Sequence, residues 1–139
     1  MEEELGLAQM VGNRPTGQYG VKEIVAMLMQ GVDPEDLIEA IKSGCDLFDC
    51  VAPTRMARNG ALHTKKGRMN ISNAQFKDDF GPIEKGCECY TCKNYTRAYL
   101  CHLFKSNELS AFTLATIHNI HFMIQLMSDY RKKILHDEI

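Results

Sequence analysis

Three cysteines and one histidine form the part of the sequence best suited to chemistry. Cys87, Cys89 and Cys92 lie within six residues in the spacing Cys-x-Cys-x-x-Cys, and His118 follows 26 residues after Cys92. Three thiolates and one imidazole make a complete tetrahedral ligand set for Zn²⁺. The sequence therefore predicts a structural Zn²⁺ that ties this short loop, which we call the knuckle (residues 87–92), to an apolar, helix-like segment around His118.

Disulfide bonds are the main alternative, because the chain has six cysteines, an even number. The first ten residues, MEEELGLAQM, are acidic and lack the apolar core of a signal peptide. This indicates a reducing, cytoplasmic compartment, in which clustered cysteines usually bind metal. Disulfides between neighbours in so short a loop would also be strained. We interpret the other three cysteines, Cys45, Cys50 and Cys101, as ordinary small buried residues.

Spacing alone leaves the fourth ligand open among three histidines. His102 follows Cys92 by only ten residues, on what we expect to be one continuous helix with it, so closure of the site would be awkward. His121 lies about one helical turn from His118, and periodicity cannot separate these two.

Composition and charge place the chain among globular proteins. Its 139 residues are enough for one domain with a core, and 45% of them are hydrophobic and 24% charged. The sequence contains no run of 18 apolar residues, so we expect no membrane span. The net charge is −2, yet residues 52–77 contain six basic and no acidic side chains. This stretch could face phosphates or could simply be a solvated loop.

An α/β unit is expected before the basic stretch. The apolar segment Val21–Gln30 could be strand or helix, and the α/β interpretation places a strand near Ala26–Gln30 and another at Asp46–Val51. These strands flank a helix that Asp33 caps and Gly44 ends. Asp49 closes the second strand, and catalytic groups of α/β proteins sit just past such strand ends. A purely structural role is the commoner use of a carboxylate at this place, and both interpretations stay open.

The remaining sequence predicts a hairpin and two helices. Residues 54–86 look irregular apart from a β-hairpin with its turn at Lys65-Lys66-Gly67. Apolar residues then recur at three- and four-residue intervals, which predicts a helix from about Asn94 to Lys105 and a second from near Ser106 or Asn107 to about Lys133.

Several segments together resemble a known family. FDCVAPTRMARNG, the hairpin, DDFGPI, the knuckle, NYTRAYLCHLF and ATIHN resemble, in order and spacing, the carboxyl-terminal third of bacterial tRNA-guanine transglycosylases. These enzymes of queuosine biosynthesis are zinc-containing (β/α)8 barrels. The resemblance runs from about Met29 to Leu135. It implies an unmatched amino-terminal arm over residues 1–28 and a partial barrel with a zinc-binding subdomain over residues 29–139.

The resemblance implies a reaction and partners. Guanine 34 of tRNAs with a GUN anticodon would be exchanged for queuine or its precursor preQ1, in the cytoplasm. The protein would work as a homodimer or would pair with a full-length subunit. Neither a membrane nor DNA is expected as a partner.

The resemblance also assigns residues. Asp49 would be the nucleophile that attacks the ribose C1′ and holds the RNA covalently, as the carboxylate of a retaining glycosidase holds its sugar. The Zn²⁺ ligands would be Cys87, Cys89, Cys92 and His118, which decides among the histidines. The RNA contacts would be made by two segments, namely Gln30, Gly31, Val32, Asp33, Pro34, Glu35 and Asp36, and Thr54, Arg55, Met56, Ala57 and Arg58.

The sequence also departs from the family. It lacks more than half of the barrel, including the guanine pocket and a second catalytic aspartate. Met56 stands where the family has asparagine. A nucleophile without a base-binding pocket cannot run the exchange alone. Three interpretations follow: a transglycosylase fragment that is inactive alone, a zinc-stabilised tRNA-binding module, and a non-catalytic partner of a full-length transglycosylase.

Overall fold

The structure is a computed structural model that describes residues 34–45 and 47–138. These residues fold into five α-helices, a two-stranded β-hairpin and one turn of 3-10 helix. Residues 53–127 form one compact unit, and residues 34–45, 47–52 and 128–138 belong to a second. None of the helices in the described ranges combines the length and the apolar character needed to cross a membrane.

In the second unit, helix α1 spans Pro34–Lys42, as the sequence predicts. Its first turn carries acidic residues, which the positive end of the helix dipole favours. The helix ends in a Schellman motif: the N–H of Cys45 donates to the carbonyl of Ala40, and the N–H of Gly44 to that of Ile41, both at 3.0 Å. Gly44 has a φ of 98°, which a side chain would oppose.

The strand predicted at Asp46–Val51 is not formed, and this prediction was wrong. Asp46 lies outside the described residues, and residues 47–51 have no regular secondary structure. Leu47 and Val51, which a buried strand would hide, are 65% and 60% exposed. A strand is stabilised by pairing with a neighbour, and no strand of the described chain lies beside this segment. The strand predicted at Ala26–Gln30 falls outside the described residues.

Helix α2 spans Ala52–Arg58, where the sequence analysis expected irregular chain from residue 54 onward. That expectation was wrong because Pro53 is compatible with the first turn of a helix, whose N–H groups have no helical partner. The helix ends at Arg58, and Gly60 follows in the turn beyond it, with a φ of 74° and an N–H that donates to the carbonyl of Ala57 at 2.9 Å.

The predicted hairpin is confirmed. Strand β1 spans Ala61–Thr64 and pairs in antiparallel register with β2, Gly67–Asn70, so that Lys65 and Lys66 form a two-residue turn. The hydroxyl of Thr64 donates to the carbonyl of Gly67 at 2.7 Å and closes the turn. The first three residues of β1 are buried, whereas β2 alternates between half-buried and exposed side chains.

Three helices complete the chain: α3 at Tyr90–Asn94, α4 at Arg97–Lys105 and α5 at Leu109–Leu135. The predicted helix from Asn94 to Lys105 is therefore interrupted at its beginning. The break has a local cause, since the Thr96 side chain caps α4 by accepting from the N–H of Tyr99 at 3.2 Å. The second predicted helix is confirmed as α5.

One hydrophobic core holds residues 53–127 together. It takes side chains from α2, the hairpin, the 3-10 helix at Ala74–Phe76, α4 and α5. Its buried members are Ala57, Leu62, Ile71, Phe76, Ile83, Leu100, Cys101, Leu103, Ala111, Leu114 and Ala115. The described residues thus show a mixed helix and strand fold, and they contain no parallel sheet.

Candidate metal centre

The structure brings the four predicted metal ligands together. The Sγ atoms of Cys87, Cys89 and Cys92 and a ring nitrogen of His118 all lie within 4.8 Å of one another. The distances from His118 Nδ1 to the three sulfurs are 3.8, 3.6 and 3.4 Å respectively. Cys89 and His118 are buried, and the other two are half-buried. Four such atoms facing one point can hold a single four-coordinate ion.

Backbone hydrogen bonds shape the knuckle. Cys89 is the N-cap of helix α3, and its Sγ accepts from the N–H of Cys92 at 3.3 Å. The positive end of a helix stabilises a thiolate at this position. The N–H of Cys87 donates to the carbonyl of Glu84 at 3.2 Å, and Gly86 turns the chain with a φ of 83°. The loop is therefore shaped by its own backbone to point three sulfurs inward.

His118 is held in one orientation from α5. Its Nε2 lies 2.8 Å from the carbonyl oxygen of His63, and only a protonated nitrogen can donate there. The neutral ring then leaves the lone pair of Nδ1 facing the sulfurs. A hydrogen bond to the ring nitrogen that does not face the metal typically fixes the orientation of a ligand histidine. Neither His102, which is exposed, nor His121 belongs to the cluster among the described residues.

Burial makes the thiolate forms of Cys87 and Cys92 unfavourable when no cation is bound. It raises the pKa of the Cys92 thiol strongly and that of the Cys87 thiol as well, and the nearby thiol of Cys89 acts in the same direction. Burial lowers the pKa of His118, which keeps the ring neutral near pH 7. A bound cation would offset the repulsion of three thiolates and make their deprotonation favourable.

Asn119, which follows His118 on α5, ties the centre to the hairpin and to α2. Its Oδ1 accepts from the N–H of His63, and its Nδ2 donates to the carbonyls of Pro53 and Ala61, each at 3.0 Å. Asn119 was not predicted from the sequence as a residue of the site. The available signal was two adjacent polar residues, His118 and Asn119, inside an apolar helical segment, where a buried polar group needs partners.

A second set of contacts supports the approach to the knuckle. Arg97 forms an ion pair with Asp79 at 2.8 Å and donates to the carbonyl of Ile83 from Nε at 3.2 Å and from Nη2 at 2.8 Å. The carboxylate of Glu84 accepts from the N–H of Lys65 at 2.7 Å. The loop that leads into the knuckle is thereby bound to α4 on one side and to the hairpin turn on the other.

The other predicted site residues are placed as follows. Arg55 and Arg58 are exposed on α2, Thr54 and Met56 are half-buried, and Ala57 is completely buried in the core. Asp49 is exposed and belongs to the second unit.

The first predicted RNA segment is described only in part. Pro34, Glu35 and Asp36 form the first turn of α1. Gln30, Gly31, Val32 and Asp33 lie outside the described residues.

Comparison with known proteins identifies the family. The model of the family described as queuine tRNA-ribosyltransferase matches residues 11–139. Curated proteins named queuine tRNA-ribosyltransferase are similar over 89% of this chain: one from Thermoanaerobacter sp. (strain X514) is 52% identical over 33% of its own length. One from Aquifex aeolicus is 44% identical over 35% of its length, and one from Staphylococcus aureus (strain JH9) is 48% identical over 33%.

The chain thus spans about a third of the length of these relatives, and it matches their carboxyl-terminal portion. The family match includes the knuckle, His118 and Asn119, so the centre described above lies inside the matched region. This chain belongs to the queuine tRNA-ribosyltransferase family.

Proposed function

We propose that this chain provides the zinc centre, the anticodon contacts and the nucleophile of a tRNA-guanine transglycosylase. The observation that carries the proposal is the Cys87, Cys89, Cys92 and His118 cluster, joined through Asn119 to a helix with two exposed arginines. The family that the chain belongs to supports the reaction type.

Zn²⁺ is the metal that fits this centre. Zn–S bonds of about 2.3 Å and a Zn–N bond of about 2.0 Å in a tetrahedron separate sulfur from nitrogen by about 3.5 Å. The three sulfur–nitrogen distances here are 3.4, 3.6 and 3.8 Å. Thiolates disfavour Mg²⁺ and Ca²⁺, which take oxygen ligands. Four protein ligands leave no open position for substrate, so the role of the ion is structural.

The RNA contact falls on α2 and the hairpin turn. Arg55 and Arg58 are exposed on α2, and a guanidinium group can donate two hydrogen bonds to a base edge or a phosphate of an unstacked loop. Lys65, Lys66 and Arg68 are exposed at the hairpin and would attract phosphates without reading sequence. The two groups of cations lie in the same compact unit as the metal centre.

The chemical step is assigned to Asp49. Its exposed carboxylate would attack C1′ of the ribose of guanine 34 as the bond from C1′ to guanine breaks, which gives a covalent RNA ester. The incoming base, preQ1 or queuine, would then displace the carboxylate and restore a glycosidic bond. We propose that the guanine pocket, the second acid or base and the rest of a (β/α)8 barrel lie outside these 139 residues. The chain alone would then be inactive. It would pair with an identical subunit or with a full-length one, and only the full-length subunit would supply the missing portion.

A tRNA-binding module without chemistry is the second candidate. One observation favours it: the metal centre and the exposed cations share the unit 53–127, whereas Asp49 belongs to the other unit. Binding would then need only the part of the molecule that the core and the metal hold.

Two measurements on the zinc-loaded chain test these proposals. Labelled guanine should not enter a tRNA with a GUN anticodon when the chain is alone, but it should when the chain is fused to the remaining portion of the Thermoanaerobacter relative. A fusion that binds tRNA without exchange would leave the module as the function. Binding of a GUN tRNA no tighter than of a tRNA with another anticodon would contradict both.

A further inference from the structure

We propose that Asn119 is a positioning residue that fixes helix α2 and thereby sets how well Arg55 discriminates between RNA loops. The inference rests on the proposed RNA contact by α2. It adds a residue that touches no RNA and whose contribution can be separated from metal binding.

The hydrogen bonds of Asn119 permit a single orientation of its amide. The side chain is completely buried. Both hydrogens of Nδ2 are used, on the carbonyls of Pro53 and Ala61, and Oδ1 accepts from the N–H of His63. Turning the amide over would set its oxygen against two carbonyl oxygens and its NH₂ against an N–H, so the assignment follows from the partners.

The two carbonyls that Asn119 binds enclose the segment with the arginines. Pro53 lies in the first turn of α2, and Ala61 is the first residue of β1. Arg55 and Arg58 lie between them, exposed, while Ala57 anchors the inner face of the helix in the core. One side chain therefore bridges both ends of residues 53–61. Packing of Ala57 in the core holds α2 against the rest of the unit. The hydrogen bonds of Asn119 to Pro53 and Ala61 fix the position of α2 relative to β1.

The same bridge is connected to the metal centre. Both peptide groups of His63 are held, because the N–H of His63 donates to Asn119 and its carbonyl accepts from Nε2 of His118. A metal ion that holds His118 through Nδ1 would keep Asn119 in register with the hairpin. Loss of Asn119, in contrast, leaves all four ligands and the bond from His118 to His63 in place.

These contacts give a specific expectation for Asn119→Ser, which removes the two donors that reach Pro53 and Ala61. The chain should still bind one Zn²⁺. The ratio of dissociation constants for a control RNA and for a stem-loop RNA with U-G-U in its loop should fall at least about fivefold, the effect of losing one good base contact. Affinity for the control RNA should stay within about twofold, since Lys65 and Lys66 are untouched.

The test compares four zinc-loaded proteins: the unaltered chain, Asn119→Ser, Arg55→Ala and Asn94→Ser. Asn94 serves as the control because it lies in α3 at the end of the knuckle, yet within the described part of the chain its amide bonds only to the carbonyl of Tyr90 on the same helix. Dissociation constants are measured by fluorescence anisotropy with the two stem-loop RNAs. Zinc content is measured on the same samples, and amide hydrogen exchange is followed in residues 53–61 and, for comparison, in α4.

The proposal is supported if Asn119→Ser lowers the ratio as Arg55→Ala does, keeps its zinc and exchanges faster in residues 53–61 but not in α4. The proposal is overturned if Arg55→Ala lowers the ratio of dissociation constants and Asn119→Ser leaves it unchanged. It is also overturned if Asn94→Ser lowers this ratio as much as Asn119→Ser does. A ratio of one in the unaltered chain is a different outcome, which contradicts the proposed RNA contact itself.

A measurement on the unaltered chain decides the case in which Asn119→Ser does not fold. Binding of the U-G-U stem-loop should shift the two Nδ2 proton resonances of Asn119 and slow amide exchange in residues 53–61. No change in either when RNA saturates the protein would overturn the proposal.

Discussion

The knuckle and the segment 47–51 both contain residues that the sequence predicts to be functional. The two regions differ in how firmly neighbouring groups hold those residues. At the metal centre, three of the four ligands are held by a neighbour: Cys89 by the N-terminus of α3, Cys87 by Glu84, and His118 by the carbonyl of His63. In the segment 47–51, the chain has no regular structure and Asp49 is exposed between exposed apolar residues.

The difference follows from how the two kinds of site are built. A metal-binding knuckle needs six residues and one helix that folds back, all of which lie in the unit 53–127. A nucleophile at the end of a barrel strand depends on neighbouring parallel strands for its position. The first site can thus form from local sequence, whereas the second depends on a sheet that the described residues do not contain.

Removal of the metal should have the largest effect on stability, and it would leave the knuckle as weakly held as the segment 47–51. Cys89→Ser or a chelator should loosen α3 and the start of α5, because binding of a structural Zn²⁺ contributes on the order of 10 kcal/mol to folding. Thermal unfolding followed by circular dichroism should show a large loss of stability with chelator. An unchanged transition in zinc-free protein would show that the core alone holds the unit.

Metal retention should depend steeply on pH. The pKa values of Cys87 and Cys92 are raised without a cation, so these thiols are protonated at neutral pH and must lose protons when the metal binds. Affinity should therefore rise with pH, by about tenfold per unit for each proton released, and metal should be lost as pH falls. His118 adds little near pH 7, because its lowered pKa keeps it neutral.

The measurement is a competition titration with a metal-binding dye at several pH values between 6 and 8. A slope of zero over this range would contradict the protonated state of the thiols. Cys101→Ser is a suitable control, since that buried thiol lies outside the ligand cluster and should not alter the slope.

Arg97→Met should lower the free energy of unfolding by less than removal of the metal does. It separates two contributions to stability, because it weakens the support of the knuckle and leaves its ligands intact. The change removes the bonds to Asp79 and Ile83 at an expected cost of about 2–3 kcal/mol in the free energy of unfolding. Lys105→Met, on the same helix, should change stability by less than about 0.5 kcal/mol. Urea unfolding of the zinc-loaded proteins measures both.

The same ion pair predicts an acid dependence. The hydrogen bond from Arg97 lowers the pKa of Asp79 below its ordinary value of 3.8, with help from the N–H of Gly81. A lowered native pKa contributes stability that is present above the ordinary value and is lost as pH falls through the native one. Arg97→Met should reduce this acid-linked part of the stability. An identical acid profile for the variant and the unaltered chain would remove Asp79 from this role.

Asp49→Asn should have the smallest effect on stability and the clearest effect on chemistry. An exposed side chain without regular structure around it should change the free energy of unfolding by less than about 0.5 kcal/mol. In the active fusion described above, the same change should abolish the covalent RNA adduct on a denaturing gel while tRNA binding persists. An adduct that survives would exclude Asp49 as the nucleophile.

Local features were predicted well where neighbouring residues decide them. The end of α1 at Gly44, the hairpin at Lys65 and Lys66, and the long helix α5 all follow from glycine placement and apolar periodicity. The prediction failed at Asp46–Val51, because an apolar run is a strand only when another strand pairs with it. It also failed at residues 54–58, which were expected to be irregular and belong to helix α2. A proline stops a helix in its interior but not in its first turn, where Pro53 lies.

Three donors of the candidate metal centre could be predicted from the sequence, because the type and spacing of Cys87, Cys89 and Cys92 can be read within six consecutive residues. The resemblance to the family could be recognised in the same way, from short segments in a fixed order. Helical periodicity left His118 and His121 indistinguishable, because both lie near the same face of one helix, and the resemblance to the family implied His118. Among the described residues, the folded chain brings His118 and not His121 to the three cysteines, with the carbonyl of His63 against Nε2 of His118. It alone also showed what Asn119 does, because Pro53, Ala61 and His63 come together with that amide only when hairpin and helix pack.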